Sequence, residues 1–72
     1  MRTRIYIRTD DELQDQGLIT DPDIFGVEGQ SVLWTKQVGH GEIKTDYVIE
    51  SIRFAMTQVG QNISVEKQII LF

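Results

Sequence analysis

Residues 42–62, EIKTDYVIESIRFAMTQVGQN, determine whether the chain is predicted to contain a helix. The apolar residues from Val48 to Val59 recur at the spacing of one face of an α-helix. Thr45 or Asp46 is a suitable N-cap, and Gly60 is a suitable C-terminal stop. This pattern predicts a helix over residues 46–59.

The same stretch has a second interpretation as strands. Apolar and polar residues alternate from Ile43 to Ile49 and again from Ile52 to Met56, which is the period of a half-buried strand. The alternation slips between Ile49 and Ile52, and no turn residue lies between them. We therefore favour the helix and keep the strands as the alternative.

Three other stretches carry strand patterns. Thr3, Ile5 and Ile7 alternate with Arg4 and Tyr6, so residues 2–9 are predicted to form a strand with its isoleucines facing the core. Residues 30–38 and 63–72 are predicted to be strands as well, and the second of these ends in four apolar residues. The GHGE sequence at residues 39–42 predicts a turn.

Residues 10–29 combine many acidic side chains with frequent breakers of regular structure. Gly17, Pro22, Gly26 and Gly29 interrupt any long element, and at most one helical turn is expected from Asp10, ending at Gly17. We expect a long ordered acidic loop, pinned by its apolar residues. The sequence thus predicts an α+β fold in the order β–loop–β–α–β, with one helix and a sheet of three strands, or four. Residues 1–72 should form a single small domain.

Composition argues against several classes of function. The chain has no Cys and one His, which leaves no thiol for a disulfide and makes a structural zinc site improbable. Residues 21–26 begin like a calcium loop, but Phe25 and Val32 stand where ligands are required. His40 lies in a Gly-His-Gly turn with no nucleophile beside it in sequence. We expect neither enzymatic activity nor a cofactor nor a metal.

No stretch approaches the roughly 18 consecutive apolar residues of a membrane span, and no signal-peptide pattern follows Met1. A cytoplasmic protein without membrane contact is the expectation. The net charge of −4 argues against a dedicated binder of nucleic-acid backbone, because such proteins are usually basic.

Charge is segregated along the chain. Residues 2–9 hold three arginines and no acid, whereas residues 10–29 hold seven acids and neither Lys nor Arg. The two blocks could neutralise each other, or the arginine stripe could contact an acidic protein. Arginines interleaved with a Tyr could also bind phosphates and stack on bases.

The favoured function is a non-enzymatic protein-interaction module, a small regulator or inhibitor that occupies a partner's surface. Bacteriophage and mobile-element accessory proteins are a typical source of chains this short. A nucleic-acid-binding module using the Arg/Tyr face of the first strand is the alternative. The candidate partner-binding residues are Arg2, Arg4, Tyr6, Arg8, Asp21, Asp23 and Glu28.

A homodimer is also expected from the C-terminal residues. Residues 69–72 are apolar on both faces of their strand, and a single helix could cover only one face. The expected dimer interface consists of Ile69, Ile70, Leu71 and Phe72. The single Trp, Trp34, is expected in the core rather than at an interface.

Overall fold

A computed structural model describes residues 2–19 and 26–72, and within them the protein is all-β. Five strands form one mixed sheet with the spatial order β2-β1-β5-β4-β3. The strands are β1 (Arg2–Thr9), β2 (Glu12–Ile19), β3 (Ser31–Val38), β4 (Gly41–Val59) and β5 (Asn62–Leu71).

The sheet is built from three antiparallel hairpins and one parallel contact. β1 pairs with β2, β3 with β4, and β4 with β5, all antiparallel. β1 and β5 pair in parallel, with Ile5 opposite Ile69. The last strand in the chain is therefore the central strand of the sheet.

The helix predicted over residues 46–59 is wrong, and so is the α+β fold class. These residues belong to β4, which pairs with β3 up to Val48 and with β5 from Ile49 onward. The register shifts between Ile49 and Ser51, so Glu50 is an extra residue in a β-bulge. The bulge accounts for the slip in alternation, since one inserted residue changes which face the following side chains occupy.

The long loop predicted over residues 10–29 is wrong where β2 forms. The chain turns at Asp10 and Asp11, with Asp10 at a φ of 55°, and there is no helical turn before Gly17. Gly17 has a φ of 107° and lies beside a second register shift, between β1 and β2. Residues 20–25 of the predicted loop lie outside the described residues.

The other strand predictions are confirmed. The strands at residues 2–9, 30–38 and 63–72 correspond to β1, β3 and β5 to within a residue, and residues 39 and 40 form the predicted turn. The predicted order β–loop–β–α–β is wrong, because the described residues form five strands and the parallel pair joins the first and the last of them.

The core lies on one face of the sheet, which we call the apolar face. Its centre is a cluster of Ile5, Ile49, Ile69 and Leu71, each at most 2% exposed. Side chains from both edge strands pack against this cluster, among them Ile19 of β2 and Trp34 of β3. The sheet therefore coils around its own apolar side chains.

Two hairpins extend beyond this core. The described part of the molecule measures 47 × 26 × 25 Å. We call residues 33–43 the β3–β4 arm and residues 54–65 the β4–β5 arm. Each arm comprises the end of one hairpin and its turn, and each carries exposed apolar residues.

Candidate interaction surfaces

The arginine stripe of β1 lies on the face of the sheet opposite the core, which we call the polar face. Arg4 donates to Asp15 of β2 at 2.6 Å and to Glu66 of β5 at 3.2 Å. Asp15 also accepts a hydrogen bond from the backbone N–H of Gly17 at 2.8 Å. Arg4 thus connects both neighbours of β1 through its side chain.

Arg8 makes the second ion pair of the stripe. Its Nε lies 2.7 Å from a carboxylate oxygen of Glu50, two strands away in β4. Glu50 is the extra residue of the bulge. The bulge therefore has a local electrostatic role in addition to its effect on register.

Gln68 is the centre of the polar face and is only 7% exposed. Its carbonyl oxygen accepts from Nε of Arg53 at 2.5 Å, and its amide donates to Glu66 at 3.0 Å and to the hydroxyl of Tyr6 at 3.4 Å. The Arg53 guanidinium lies 5.8 Å from the centroid of the Tyr6 ring, within cation–π range. Together with the Arg4 pairs, these contacts connect β2, β1, β5 and β4.

This network shifts the ionisation of its members. The hydrogen bond from Gln68 lowers the pKa of Glu66, with a further contribution from Arg4, while desolvation acts in the opposite direction. The pKa of Arg4 is raised by its hydrogen bond to Glu66, and the pKa of Arg8 by its hydrogen bond to Glu50. The network therefore favours the charged forms of Glu66 and Arg4, and the separate pair with Glu50 favours the charged form of Arg8.

Among residues 2–19 and 26–72, the charge blocks neutralise each other only in part. Arg4 does pair with Asp15, from the acidic segment, but its other partner and that of Arg8 come from residues 66 and 50. These long-range pairs leave no signal in the local sequence. The predicted contact residues Arg4, Tyr6 and Arg8 are thus on one face and engaged with their own chain.

The remaining candidate contact residues are dispersed. Arg2 begins β1 and is exposed, and Glu28 is exposed in the turn that precedes β3. Asp21 and Asp23 lie outside the described residues, as does most of the calcium-like segment. Within the described residues, no three His, Cys, Asp or Glu side chains are grouped so that they could hold a metal ion.

The dimer interface was predicted on the assumption that one face of residues 69–72 is uncovered, and the structure buries residues 69–71 on both faces. Ile69, Ile70 and Leu71 are 0%, 3% and 0% exposed within a single chain, whereas Phe72 is 60% exposed. The helix that was to cover them is absent, and the coiled sheet and the polar face cover them instead. The reason for placing a dimer contact at residues 69–71 is thereby removed.

Trp34 packs at the edge of the core, whereas His40 lies in a turn. Trp34 packs against the core, and its ring meets that of Tyr47 edge to face at 6.3 Å. Trp34 is partly buried, which agrees with the predicted core position. His40 is exposed in the turn between β3 and β4.

A small open crevice of about 140 Å³ lies on the polar side of the β4–β5 arm. It is lined by Arg2, Ala55, Thr57, Ser64, Val65 and Glu66. Ligand pockets usually enclose roughly 300–1,000 Å³. The crevice is below that range, and it contains no nucleophile paired with a base.

The exposed apolar residues of the arms are the most distinctive surface feature, and sequence reasoning did not identify them. The β3–β4 arm exposes Leu33, Val38 and Ile43, by 60%, 50% and 56%. The exposed apolar residues of the β4–β5 arm are Phe54, Met56, Val59, Ile63 and Val65. The alternative interpretation of residues 43–56 as strands already pointed to exposed apolar residues. An extended strand would carry its side chains past the end of the core.

Comparisons with known proteins do not assign the chain to a family: no protein-family model, curated protein or solved structure matches it. Among the described residues, no helix is long and apolar enough to cross a membrane.

Proposed function

We propose that the protein is a non-enzymatic protein-interaction module that acts by occupying the surface of another protein, as a small regulator or inhibitor would. The observation that supports this function most directly is the exposure of apolar side chains on the two arms. Scattered exposed apolar residues are ordinary, but groups of them on one element mark interaction sites.

The arms favour a protein partner over nucleic acid. A nucleic-acid platform on the polar face would need free arginines for phosphates and a free Tyr ring for stacking. Arg4 and Arg8 instead contact carboxylates at 2.6 and 2.7 Å, and Arg53 lies over the ring of Tyr6. Binding a nucleic acid there would require breaking these contacts in a chain of net charge −4. The cytoplasmic location suggested by the sequence is part of this proposal.

The β3–β4 arm supplies the matched variants for the test. Ile43→Lys replaces an exposed apolar residue with a charge on the side of this arm that also carries Val38, whereas Leu33 lies on the other side. Gln37→Lys adds the same charge at an exposed position on the opposite side of the same hairpin. The two variants have equal net charge, but residue 43 lies opposite Lys36 and residue 37 opposite Glu42. Like charges on paired strands destabilise a hairpin, so a difference between the variants reports the apolar contact only when circular dichroism shows that both are folded.

The experiment is affinity capture from host lysate, with and without nuclease, using the wild type and both variants. A captured protein should survive the nuclease, persist with Gln37→Lys and be lost with Ile43→Lys. If capture disappears on nuclease treatment, or if no protein is captured above background, the proposed function is wrong.

A further inference from the structure

The β4–β5 arm has no charged residue. Residues 54–65, FAMTQVGQNISV, form the longest stretch of the chain without Asp, Glu, Lys or Arg, in a protein whose charged fraction is 25%. The arm comprises the end of β4, a turn at Gly60 and Gln61, and the start of β5. Edge strands that must stay unpaired are commonly protected by charges or Pro, and this arm has neither.

One side of the arm carries four exposed apolar side chains, with Gln58 opposite Ile63 and Lys67 opposite Phe54 on the same face. Met56 lies directly opposite Val65, with Phe54 and Ile63 in the adjacent positions on the same face. Their exposures are 71%, 36%, 56% and 62% in that order. The described part of β1 pairs with β5 only from Glu66 onward, so the arm is a two-stranded ribbon. Such ribbons are marginally stable in water unless their apolar side is covered.

We propose that the cover is a second copy of this chain, with the two β4–β5 arms packed face to face across a two-fold axis. This deepens the proposed function, and it rests on that function only for the premise that the exposed arms are contact surfaces. Phe54, Met56, Ile63 and Val65 of each copy would form the shared layer, as in the packing of two β-sheets.

Charge is what favours a second copy as the occupant. Two copies of net charge −4 repel each other wherever charged surfaces meet. Residues 54–65 form the stretch where two copies can meet without opposing like charges, and the nearest charge on the contact face is Lys67, opposite Phe54 at the base of the arm. Its apolar face also continues into the core through Ile52 and Ile69, so a second arm would extend an existing apolar layer.

Face packing is favoured over edge pairing. Beyond Ser51, the outer edge of β4 has no neighbouring strand among the described residues. Pairing two such edges would exchange water for backbone partners but leave Met56 and Ile63 exposed. Stacking the faces removes these side chains from water. A twelve-residue arm is shorter than the roughly 20–30 residues a side of a standard interface. The dimer should therefore be weak and dependent on concentration.

The test is sedimentation equilibrium of the purified protein over a concentration series. The mass should rise from 8.3 kDa toward twice that value. Met56→Lys and Ile63→Lys place a charge on the apolar side and should weaken association at least about tenfold. Thr57→Lys adds the same charge to the opposite side of the arm and should change it by less than about threefold. Circular dichroism tests whether each variant is folded. Two variants on the apolar side are used so that the test still works if one of them does not fold.

The dimer is overturned if the wild-type chain stays monomeric up to about 1 mM. It is also overturned if Thr57→Lys and Met56→Lys weaken self-association equally. A monomer that still captures another protein through the β3–β4 arm would remove this inference and leave the proposed function standing. A dimer that captures no other protein would support this inference and remove the proposed function.

Discussion

Two isoleucines of β5 have opposite environments within one strand and on one face of the sheet. Ile69 is 0% exposed at the centre of the core cluster, and Ile63 is 62% exposed on the β4–β5 arm. The same substitution at these two positions therefore separates burial from strand propensity.

Ile69→Ala should lower the free energy of unfolding by about 2–5 kcal/mol, because it leaves a cavity in a close-packed cluster. Ile63→Ala should cost at most about 1 kcal/mol, the span of strand propensities. Urea denaturation in dilute protein, where the chain is monomeric, measures both. Equal losses for the two variants would contradict the position of the core.

The carboxylate of Glu66 makes the stability of the fold depend on pH in the acidic range. Hydrogen bonding from Gln68, with a contribution from Arg4, lowers the pKa of Glu66 in the folded chain below its ordinary value of 4.5. The unfolded chain consequently binds a proton first as the pH falls. The stabilisation by Glu66 is complete above the ordinary pKa and is lost as the pH falls through the folded pKa.

Glu66→Gln should therefore show a smaller loss of stability than the wild type between about pH 6 and pH 3. Glu28→Gln, which removes an exposed carboxylate from a turn, should retain the acid dependence of the wild type. Melting temperatures of the three proteins across this range provide the measurement. If Glu66→Gln and Glu28→Gln have the same acid profile, the polar network does not stabilise the fold.

The bulge at Glu50 explains both how β4 pairs with two different strands and why its sequence resembles that of a helix. A strand that changes partners from β3 to β5 needs a local change of direction, and an extra residue supplies it. The same extra residue breaks the alternation from which strands are predicted. Because the extra residue places Ile49 and Ile52 three positions apart, the stretch acquires the spacing of an amphipathic helix.

Deletion of Glu50 should disrupt the fold, because residues 51–59 would then have to slip against β5 or turn their side chains to the other face. Glu50→Gln keeps the bulge and loses only the charge that Arg8 contacts, so it should remain folded. Amide chemical-shift dispersion and urea denaturation distinguish the two variants. A deletion variant with the wild-type spectrum would show that the bulge does not set the register.

β2 illustrates a different limit of prediction. Its sequence, ELQDQGLI, has little alternation, and Leu13, Gly17 and Ile19 are its only partly buried residues. This strand forms because its backbone pairs with the edge of β1. That pairing cannot be inferred from a stretch of eight mostly polar residues. β1, β3 and β5 were predictable because their buried side chains alternate or are continuous. On the polar face, the contact between Arg4 and Asp15 was foreseeable from adjacent charge blocks, but those with Glu66 and Glu50 were not.

β5 joins the two halves of the sheet, because it lies between β1 and β4 and pairs with both. It provides three of the side chains that are at most 3% exposed, Ile69, Ile70 and Leu71. Each fully buried apolar side chain of this size contributes about 1.5–3 kcal/mol, and small domains are stable by only about 5–15 kcal/mol.

Removal of residues 69–72 should therefore unfold the chain rather than yield a folded monomer. Phe72→Ala should remain folded, because its side chain is 60% exposed and the substitution keeps the backbone hydrogen bonds between residue 72 and Val48. Far-UV circular dichroism and a thermal melt measure both. A cooperative melt of the truncated chain would contradict the central position of β5.

The parallel contact between β1 and β5 also sets an order of events during synthesis. Ribosomes release the N-terminal part of a chain first, at about 5–20 residues per second. β1 and β2 can pair as soon as they emerge, but the second neighbour of β1 is the last of the five strands to leave the exit tunnel. Ile5 and Ile7 therefore remain uncovered in the nascent chain until β5 is available to complete the core. This protein should therefore complete its folding only after translation has passed Leu71, and the growing chain is the form most exposed to chaperones and to aggregation.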